Sequence, residues 1–361
     1  MTLLILYNQP SNRQPSNRQA GTDQTEIDPA DTGPADTGPA DSDPADSDVL
    51  TQVAWVGRAL SELGYQVDAL GVTLDLTPLE ERLRTQPPEF VVYLVESLGG
   101  TDGLLHLPAE LLAARSFPFT GSPASVLKSL VSKSEVKQRL LAEALPTPGW
   151  LDPEGDFHGG FAPGQYIIKA DREHASRGLD QTSVVEVQTV DELRGRCRQR
   201  ASQLKVPCLA ERFVSGREFN IALLAGERDE PTPGVEVLPL AEIDFSRLPA
   251  GHWPIVDWKA KWAEGSVEYV GTPRTFPDMQ AQSQLGQQLR WLAERCWQTF
   301  GLSGYARVDV RVDPQGDIWI LEINANPCLS PDAGFHAACS VRGLSATDIM
   351  QRLIPTPRAY Y

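Results

Sequence analysis

Apolar residues recur with two different periods along the chain, and the switches between them outline its elements. The chain opens with six apolar residues in MTLLILYNQP, without a basic stretch before them. That run is too short for a secretory signal and predicts a buried first strand. Val49, Val53, Val56, Leu60 and Leu63 then fall at helical spacing, with Asp46, Ser47 or Asp48 available to cap the start of a helix and Gly64 its end. YQVDAL and FVVYLV read as two further strands. Strand, helix, strand, helix and strand in succession predict an open parallel α/β sheet. GGTDG and FTGSP are then loops at strand ends, where such sheets bind ligands.

A second region follows residue 125. SKSEVKQRLLAEAL predicts a helix whose apolar positions include Val136, Leu140 and Leu141. QYIIKADREHASRGLDQTSVVEV predicts two strands around a polar loop, DELRGRCRQRASQL a helix, and CLAERFVSGREFNIALL two strands on either side of Ser215-Gly216. The third region, from residue 215, holds a helix around QLGQQLRWLAERCWQTFGL, a strand pair in RVDVRVDPQGDIWILEINANP and a last helix around SATDIMQRLI. The expected organisation is α/β in three parts, 1–125, 126–214 and 215–361, with an insertion over residues 9–46.

That insertion is a pentapeptide written twice (QPSNRQPSNR) and a related one written four times (PADTGPADTGPADSDPADSD). Neither unit has an apolar face, so the segment is expected to be loosely ordered rather than a solenoid. It also carries much of the charge. Residues 20–50 hold nine acids and no Lys or Arg, so the formal −16 of the whole leaves about −7 elsewhere. That balance disfavours a duplex nucleic-acid binder, which needs basic surface to displace counterions. No apolar stretch approaches the ~20 residues of a membrane helix. Five cysteines without a C-x-x-C suggest neither a disulfide framework nor a zinc site, and reduced thiols in the cytoplasm are expected.

The strand pair near the C-terminus carries the chemistry. Val308, Val310 and Val312 alternate with Arg307, Asp309 and Arg311, giving one apolar and one charged face. Register decides what meets the charged face. An even loop such as Gln315-Gly316 sets Asp309 opposite Glu322 and Arg307 opposite Asn324, whereas a three-residue loop sets Val308 opposite Glu322. The even loop is favoured because it gathers all four polar groups on one surface. Facing carboxylates repel unless a cation lies between them. Two carboxylates and an amide oxygen suit Mg²⁺, one ion or two, with Mn²⁺ as a substitute. The competing reading is a solvated sheet face with ordinary salt bridges. It is weakened by Glu322 lying between Leu321 and Ile323, in a run too apolar for an exposed edge.

RVDV…WILEINANP resembles the metal-binding signature of ATP-grasp ligases, in particular the D-alanine–D-alanine ligase branch, and upstream motifs follow in the same order over nearly the whole chain except 9–46. The resemblance implies an ATP-grasp fold, two subdomains sandwiching ATP behind an N-terminal α/β domain, and by fold analogy a homodimer. It implies that Lys133 and Lys169 bind nucleotide phosphates, although Lys169 alone reads equally as a snorkelling strand-end lysine. By the same match residues 171–178 close over the triphosphate, with Ser176 among them a substrate residue; Glu211 through Val214 meet adenine; and Glu218 accepts from the ribose hydroxyls unless it pairs with Arg217 or another base. Lys261 stands at a further phosphate contact, and Trp262 where the family often has a tyrosine on a mobile loop. Arg307 stabilises charge on the transferring groups. Asp309, Glu322 and Asn324 hold the metal. The implied reaction joins a carboxylate to an amine through an acyl phosphate, with amino acids or small peptides as substrates.

The departures fall where substrates would bind. Cys328 replaces a glycine whose N–H helps form an oxyanion hole; it could still donate its N–H, though not without strain if the position requires positive φ. It reads as a structural variant rather than a nucleophile. SPDAGF replaces the serine that receives the second substrate's carboxylate, and Asp332 there would repel a carboxylate and attract an amine. Glu96 stands where histidine is frequent and could hold an ammonium with help from Asn8, or merely cap a loop. His174 and Arg177 make the triphosphate loop bulkier than usual. Three readings follow: a carboxylate–amine ligase of other specificity, which is preferred; a D-alanine–D-alanine ligase of cell-wall synthesis; and a non-catalytic ATP-binding protein that kept the fold.

Overall fold

The computed structural model describes residues 2–10, 44–226, 234–278 and 283–354. Most of the repeat insertion, residues 11–43, lies outside them. The first sheet is parallel and ordered β2-β1-β3, from β1 (Thr2–Asn8), β2 (Gln66–Val72) and β3 (Phe90–Leu94), with α1 (Pro44–Glu62) and α2 (Thr77–Thr85) as crossovers. The continuous apolar run of β1 is explained by burial on both faces. Leu3 and Ile5 pack with Val56 and Leu60 of α1, while Leu4 and Leu6 join the core on the other side. The apolar stripe of α1 is as expected, but the helix begins at Pro44, so the three candidate caps lie inside it. Gly64, at φ +83°, ends the turn after it.

Helices α3 (Leu107–Ala114), α4 (Ala124–Ser129) and α5 (Lys133–Ala142) lead to the second sheet. Ser132 caps α5 through the Glu135 N–H at 3.2 Å. Val136 and Leu140 are buried, but Leu141 is 52% exposed, and the buried neighbour on that face is Lys137. The second sheet is antiparallel, ordered β5-β4-β8-β6-β7, from β4 (Trp150–Leu151), β5 (Phe157–His158), β6 (Gly164–Ala170), β7 (Val184–Val187) and β8 (Cys208–Arg212). Helix α6 (Val190–Leu204) covers it through a small core of its own around Leu193 and Cys197.

The two strands flanking Ser215-Gly216 do not pair; β9 (Arg217–Ala225) starts the third sheet. With β10 (Val235–Val237), β11 (Ala241–Ile243), β12 (Arg274–Thr275), β13 (Tyr305–Val312) and β14 (Ile318–Asn324) it runs β12-β11-β9-β13-β14, with β10 beside β9. Helices α7 (Trp258–Trp262) and α8 (Val267–Gly271) precede β12, α9 (Gln284–Phe300) packs on the apolar face, and α10 (Gly334–Arg342) and α11 (Ala346–Leu353) close the chain.

The β13–β14 register pairs Asp309 with Glu322 and Arg307 with Asn324, but not through an even loop. Val312 pairs with Ile318 across five residues, and a bulge at Leu321 shifts the ladder by one position between Asp309 and Val310. The bulge lets Ile320 and Ile323 both face the core while Glu322 faces Asp309. Strand β14 is a sheet edge after all. Its apolar run is tolerated because the 146–147 segment covers it: the Ile320 N–H donates to the Pro146 carbonyl at 2.9 Å, and Thr147 Oγ1 donates to the Ile320 carbonyl at 3.0 Å.

Candidate active site

A cavity of about 640 Å³ opens between the second and third sheets and reaches the first. Every site residue expected from sequence lines it: Glu96, Lys133, Lys169, Ser176, Glu211, Val214, Glu218, Lys261, Arg307, Asp309, Glu322, Asn324, Cys328 and Asp332. The strands explain the convergence. On β13 Arg307, Asp309 and Arg311 face the cavity because Val308, Val310 and Val312 fill the core, and on β14 the bulge at Leu321 brings Glu322 and Asn324 to the same side.

The two facing carboxylates are each neutralised within the chain. Arg307 makes a two-pronged contact to Asp309, Nε to Oδ1 at 2.7 Å and Nη2 to Oδ2 at 2.9 Å, and Asn220 Nδ2 donates to the same Oδ1 at 2.9 Å. Glu322 Oε1 lies 2.7 Å from His174 Nδ1 and 3.9 Å from Lys133 Nζ. Burial alone would push the Glu322 carboxyl up; Lys133, His174 and Lys261 reverse this and hold it well below the usual range. Asn324 Oδ1 accepts from the Asn326 N–H at 2.9 Å. Lys261 has no carboxylate within 4.0 Å among the described residues. Burial, then the charge of Arg307, lowers its pKa.

These donors are hard oxygens on one cavity wall, a set that suits Mg²⁺. Among the described residues no group of three or more His, Cys, Asp or Glu side chains forms a metal-ligating cluster. Asp309, Glu322 and Asn324 would therefore supply only part of a coordination shell, leaving the rest for water or phosphate oxygens, the usual arrangement for Mg²⁺ beside a nucleotide.

Strands β8 and β6 of the second sheet, with α5, contribute a buried charge triad. Glu211, 2% exposed, sits 2.8 Å from Lys137 Nζ and bonds Lys169 Nζ. Desolvation opposes its ionisation, but the two lysines hold its pKa at about 2. The Glu211 side chain, expected at adenine, is thus committed to lysines, and Lys169 enters the cavity from this triad. Lys137 also donates to Thr147 Oγ1 at 2.8 Å, which ties the triad to β14. Sequence reasoning missed Lys137. The available signal was a lysine four residues after Lys133, on the face of α5 that carries Val136 and Leu140.

The partner of Glu218 is Arg311, at 2.8 Å from its Nε; Arg217 pairs with Glu242 instead, at 2.6 Å. Arg311 is 3% exposed, donates to the Val214 carbonyl at 3.0 Å and to that of Pro254, and lies over Phe245 and Phe213. It shares the charged face of β13 with Arg307 and Asp309, so the alternation that exposed those two also pointed to it.

Residues 171–178 are folded down over the cavity. Thr101 Oγ1 donates to Glu173 at 2.7 Å, the His174 N–H to Asp102 at 2.5 Å, Ser176 Oγ to the Val256 carbonyl at 2.8 Å, and Trp262 Nε1 to the Ala175 carbonyl at 3.2 Å. Lys133 Nζ reaches the Glu173 carbonyl. Ala175 and Ser176 take φ of +51° and +59°, a conformation that costs non-glycine residues of order 1 kcal/mol or more each. Asp171 anchors the loop's start, accepting from Ser132 Oγ at 2.8 Å and the Ser134 N–H at 2.9 Å.

The other end of the cavity is acidic. Glu96 accepts from Gln52 Nε2 at 2.8 Å, and its own N–H donates to Asn8 Oδ1 at 3.0 Å. Burial, with Asp48 and Asp102 nearby and against the Gln52 bond, raises the Glu96 pKa to about 7. Asp48, one of the expected helix caps, accepts from Cys328 Sγ at 3.0 Å and Ser330 Oγ at 2.9 Å. Burial, Glu96 and Asp48 push the Cys328 thiol well above its ordinary value. Cys328 is not among the residues at positive φ, so its backbone is unstrained. At Asp332 the backbone carbonyl accepts from Arg274 Nη1 at 3.5 Å.

Residues 167–355, about half of the chain, match the family described as D-ala D-ala ligase C-terminus. A D-alanine–D-alanine ligase of Chromohalobacter salexigens is 30% identical over 278 residues, 76% of this chain and 79% of that protein. One of a Synechococcus strain is 25% identical over 310 residues, 84% and 88% of the two chains. Among solved structures, the D-alanine–D-alanine ligase of Bacillus anthracis complexed with ATP superposes with a TM-score of 0.65 at 15% identity, covering 98% of this chain and 96% of that one. Among the described residues no helix is long and apolar enough to cross a membrane.

Proposed function

The chain belongs to the D-alanine–D-alanine ligase family, whose fold is ATP-grasp, and from that premise we propose that this ATP-dependent ligase joins the carboxylate of an amino acid or small peptide to an amine through an acyl phosphate. One observation carries the reading: Asp309 and Glu322, opposite one another on adjacent strands, face the same cavity as Lys133, Lys169, Lys261 and Arg307. A solvated sheet face does not gather Lys133, Lys261 and Arg307 around two carboxylates inside one cavity.

The nucleotide lies between residues 126–214 and 215–361, with residues 1–125 forming the wall of the substrate end. Lys133 and Lys169 meet its phosphates as mobile point charges. Arg311 fixes Glu218 and the Val214 carbonyl, so that one presents a carboxylate to the ribose diol and the other a backbone acceptor to the base. A magnesium ion held by Asp309, Glu322 and Asn324 supplies charge neutralisation of the triphosphate when bound. His174 holds Glu322 in this structure and would have to release that oxygen for Glu322 to ligate a cation through it. A carboxylate oxygen of the donor attacks the γ-phosphorus and ADP leaves. The acceptor amine then attacks the acyl carbon, loses a proton, and inorganic phosphate departs. Arg307 and Lys261 stabilise charge on the transferring oxygens, and the folded loop over residues 171–178 keeps water from the acyl phosphate.

Glu96 and Asp48 at the acidic end suit a donor bearing an ammonium group. D-alanine on both sides is the second reading, favoured by the names of the relatives. A phosphate-release screen over pairs of amino acids in both configurations tests the proposal. Turnover with at least one pair is expected, and D-alanine alone sufficing would select the second reading. ATP bound tightly with no turnover across the panel would reject both.

A further inference from the structure

Among the arginines that line the cavity, Arg274 is one that the reaction scheme above leaves unused. Arg274, on the short strand β12, is exposed to solvent and lines the cavity beside Asp332 and Gly334, which places it at the mouth. Its guanidinium lies across the α-carbon of Gly334; a Cβ there would sit 3.2 Å from Nε and Nη2, closer than most real contacts. A side chain at the start of α10 would make the guanidinium give way by a few tenths of an ångström, so the glycine leaves it room here. Among the described residues Arg274 has no carboxylate within 4.0 Å. The carboxylate whose charge acts on it is that of Asp332, beyond 4.0 Å; Glu242, paired with the neighbouring Thr275 across the strands, is taken by Arg217 through both its oxygens, at 2.6 and 2.8 Å. The contact Arg274 does make, 3.5 Å to the Asp332 carbonyl, is at the limit of a hydrogen bond. Although the residue as a whole is exposed, its charged end is drawn against the cavity wall. That desolvation, and then the charge of Arg307, pull its pKa below the ordinary arginine value.

Charge of both signs therefore lines the cavity: Asp48 and Glu96 stand together, Lys261 stands near Arg307, and Arg274 stands near Arg307 and Asp332. The donor consumes its carboxylate in the reaction and has its ammonium at the acidic end. The anionic group left to meet a cation at the mouth is that of the incoming amine compound. We propose that Arg274 is a specificity residue that receives the carboxylate of the acceptor, so that the enzyme uses amine acceptors carrying a free acid and discriminates against their neutral amides. Asp332 then limits where that acid can lie, since its negative charge repels an acceptor displaced toward it. The planar guanidinium suits the task, because it offers two parallel N–H donors to a carboxylate, which lysine cannot.

The inference rests on the ligase reading, so its test separates the two. Hydroxylamine is first supplied with ATP, Mg²⁺ and each of a panel of donor acids; hydroxamate formation reports the acyl phosphate without any natural acceptor. Free amino acids of both configurations and their carboxamides are then compared as acceptors by phosphate release. The expected result is a preference of wild type for the acid over its carboxamide of about tenfold to a hundredfold in kcat/KM, the size of a charge-assisted hydrogen-bonded contact. In Arg274→Ala that ratio falls to about one through the KM of the acid, and Arg274→Lys retains part of it. A merely structural role for Arg274 would slow acids and amides alike and leave the ratio in place. Hydroxamate formation together with equal use of acids and amides by wild type, with no use of any acid-bearing acceptor, or with an unchanged ratio in Arg274→Ala, overturns the assignment. No hydroxamate from any donor removes the ligase reading and this inference with it.

Discussion

Replacing Lys137 by methionine should weaken both the fold and the nucleotide site, although Lys137 itself is not among the residues that line the cavity. Lys137 is 1% exposed and lies 2.8 Å from Glu211 and 5.8 Å from the ring centroid of Trp150. Methionine fills similar volume without charge, so the loss is electrostatic rather than a cavity. Glu211 has its pKa lowered from 4.5 to about 2 against desolvation, with Lys137 the first of its two counter-charges. A lowering of that size, shared between Lys137 and Lys169, corresponds to about 3 kcal/mol at neutral pH, and breaking a buried pair on one side costs ~3–5 kcal/mol. The sign follows from a folded pKa below the unfolded one: the stabilisation is present above pH 4.5 and is lost as pH falls from there toward 2. The stability gap between wild type and Lys137→Met should therefore be widest near neutrality and close on acidification. Hydrogen exchange of the β6 and β8 amides at several pH values measures it locally, which suits a chain with more than one core. Lys169 is then the sole counter-ion of Glu211, so ATP affinity should fall by about tenfold, a single charge-assisted contact's worth. A gap below about 0.5 kcal/mol at neutral pH, or one that grows in acid, would refute the argument.

Three further outcomes are expected. Asp309→Asn and Glu322→Gln should each reduce turnover by about a hundredfold or more while leaving the circular dichroism spectrum unchanged, because they remove cavity charge and not core packing; activity near wild type in either would contradict the site. Cys328→Ser should keep turnover within about threefold, and the wild-type thiol should resist iodoacetamide at about pH 8, because burial, Glu96 and Asp48 keep it protonated; rapid alkylation would show the thiol is not held this way. Glu96 binds a proton in the folded state up to pH about 7 but only to 4.5 when unfolded, so its contribution to stability is present below 4.5 and lost as pH rises through 7; Glu96→Gln should flatten the thermal midpoint across that interval, and an unchanged slope would place the titration elsewhere.

Much of the fold was legible because burial imposes period on sequence. The alternation in β13, the stripe of α1 and the unbroken apolar run of β1 each name the surfaces they cover, and each is found so. Loop length was not legible from the same signal. The facing of Asp309 and Glu322 was expected from an even turn, whereas the chain uses five residues and a bulge. Two errors of one position cancel because burial selects the pairing: Val308 and Ile323 must share the core, and the turn and the bulge adjust to let them. The pairing was thus predictable where the turn was not.

The site divides along the same line. Residues that share a strand face announce one another, which is how Arg307, Asp309, Glu322 and Asn324 were read together. Residues that meet only through the fold do not. Asp48 reads as a helix cap, yet its helix starts earlier and its carboxylate reaches across to Cys328 and Ser330. Glu211 reads as a nucleotide contact, yet two lysines from different elements claim it. Arg274 reads as nothing at all, since two exposed residues of a short strand carry no period. Its meaning comes from what surrounds it, a glycine that makes room and a carboxylate already taken by another arginine. The shared chemistry of a family is written along strands, where neighbours in sequence constrain it. What sets one member's substrate apart is assembled from chain segments brought together by folding, so a search for specificity has to start from unpaired charge in the cavity rather than from motifs.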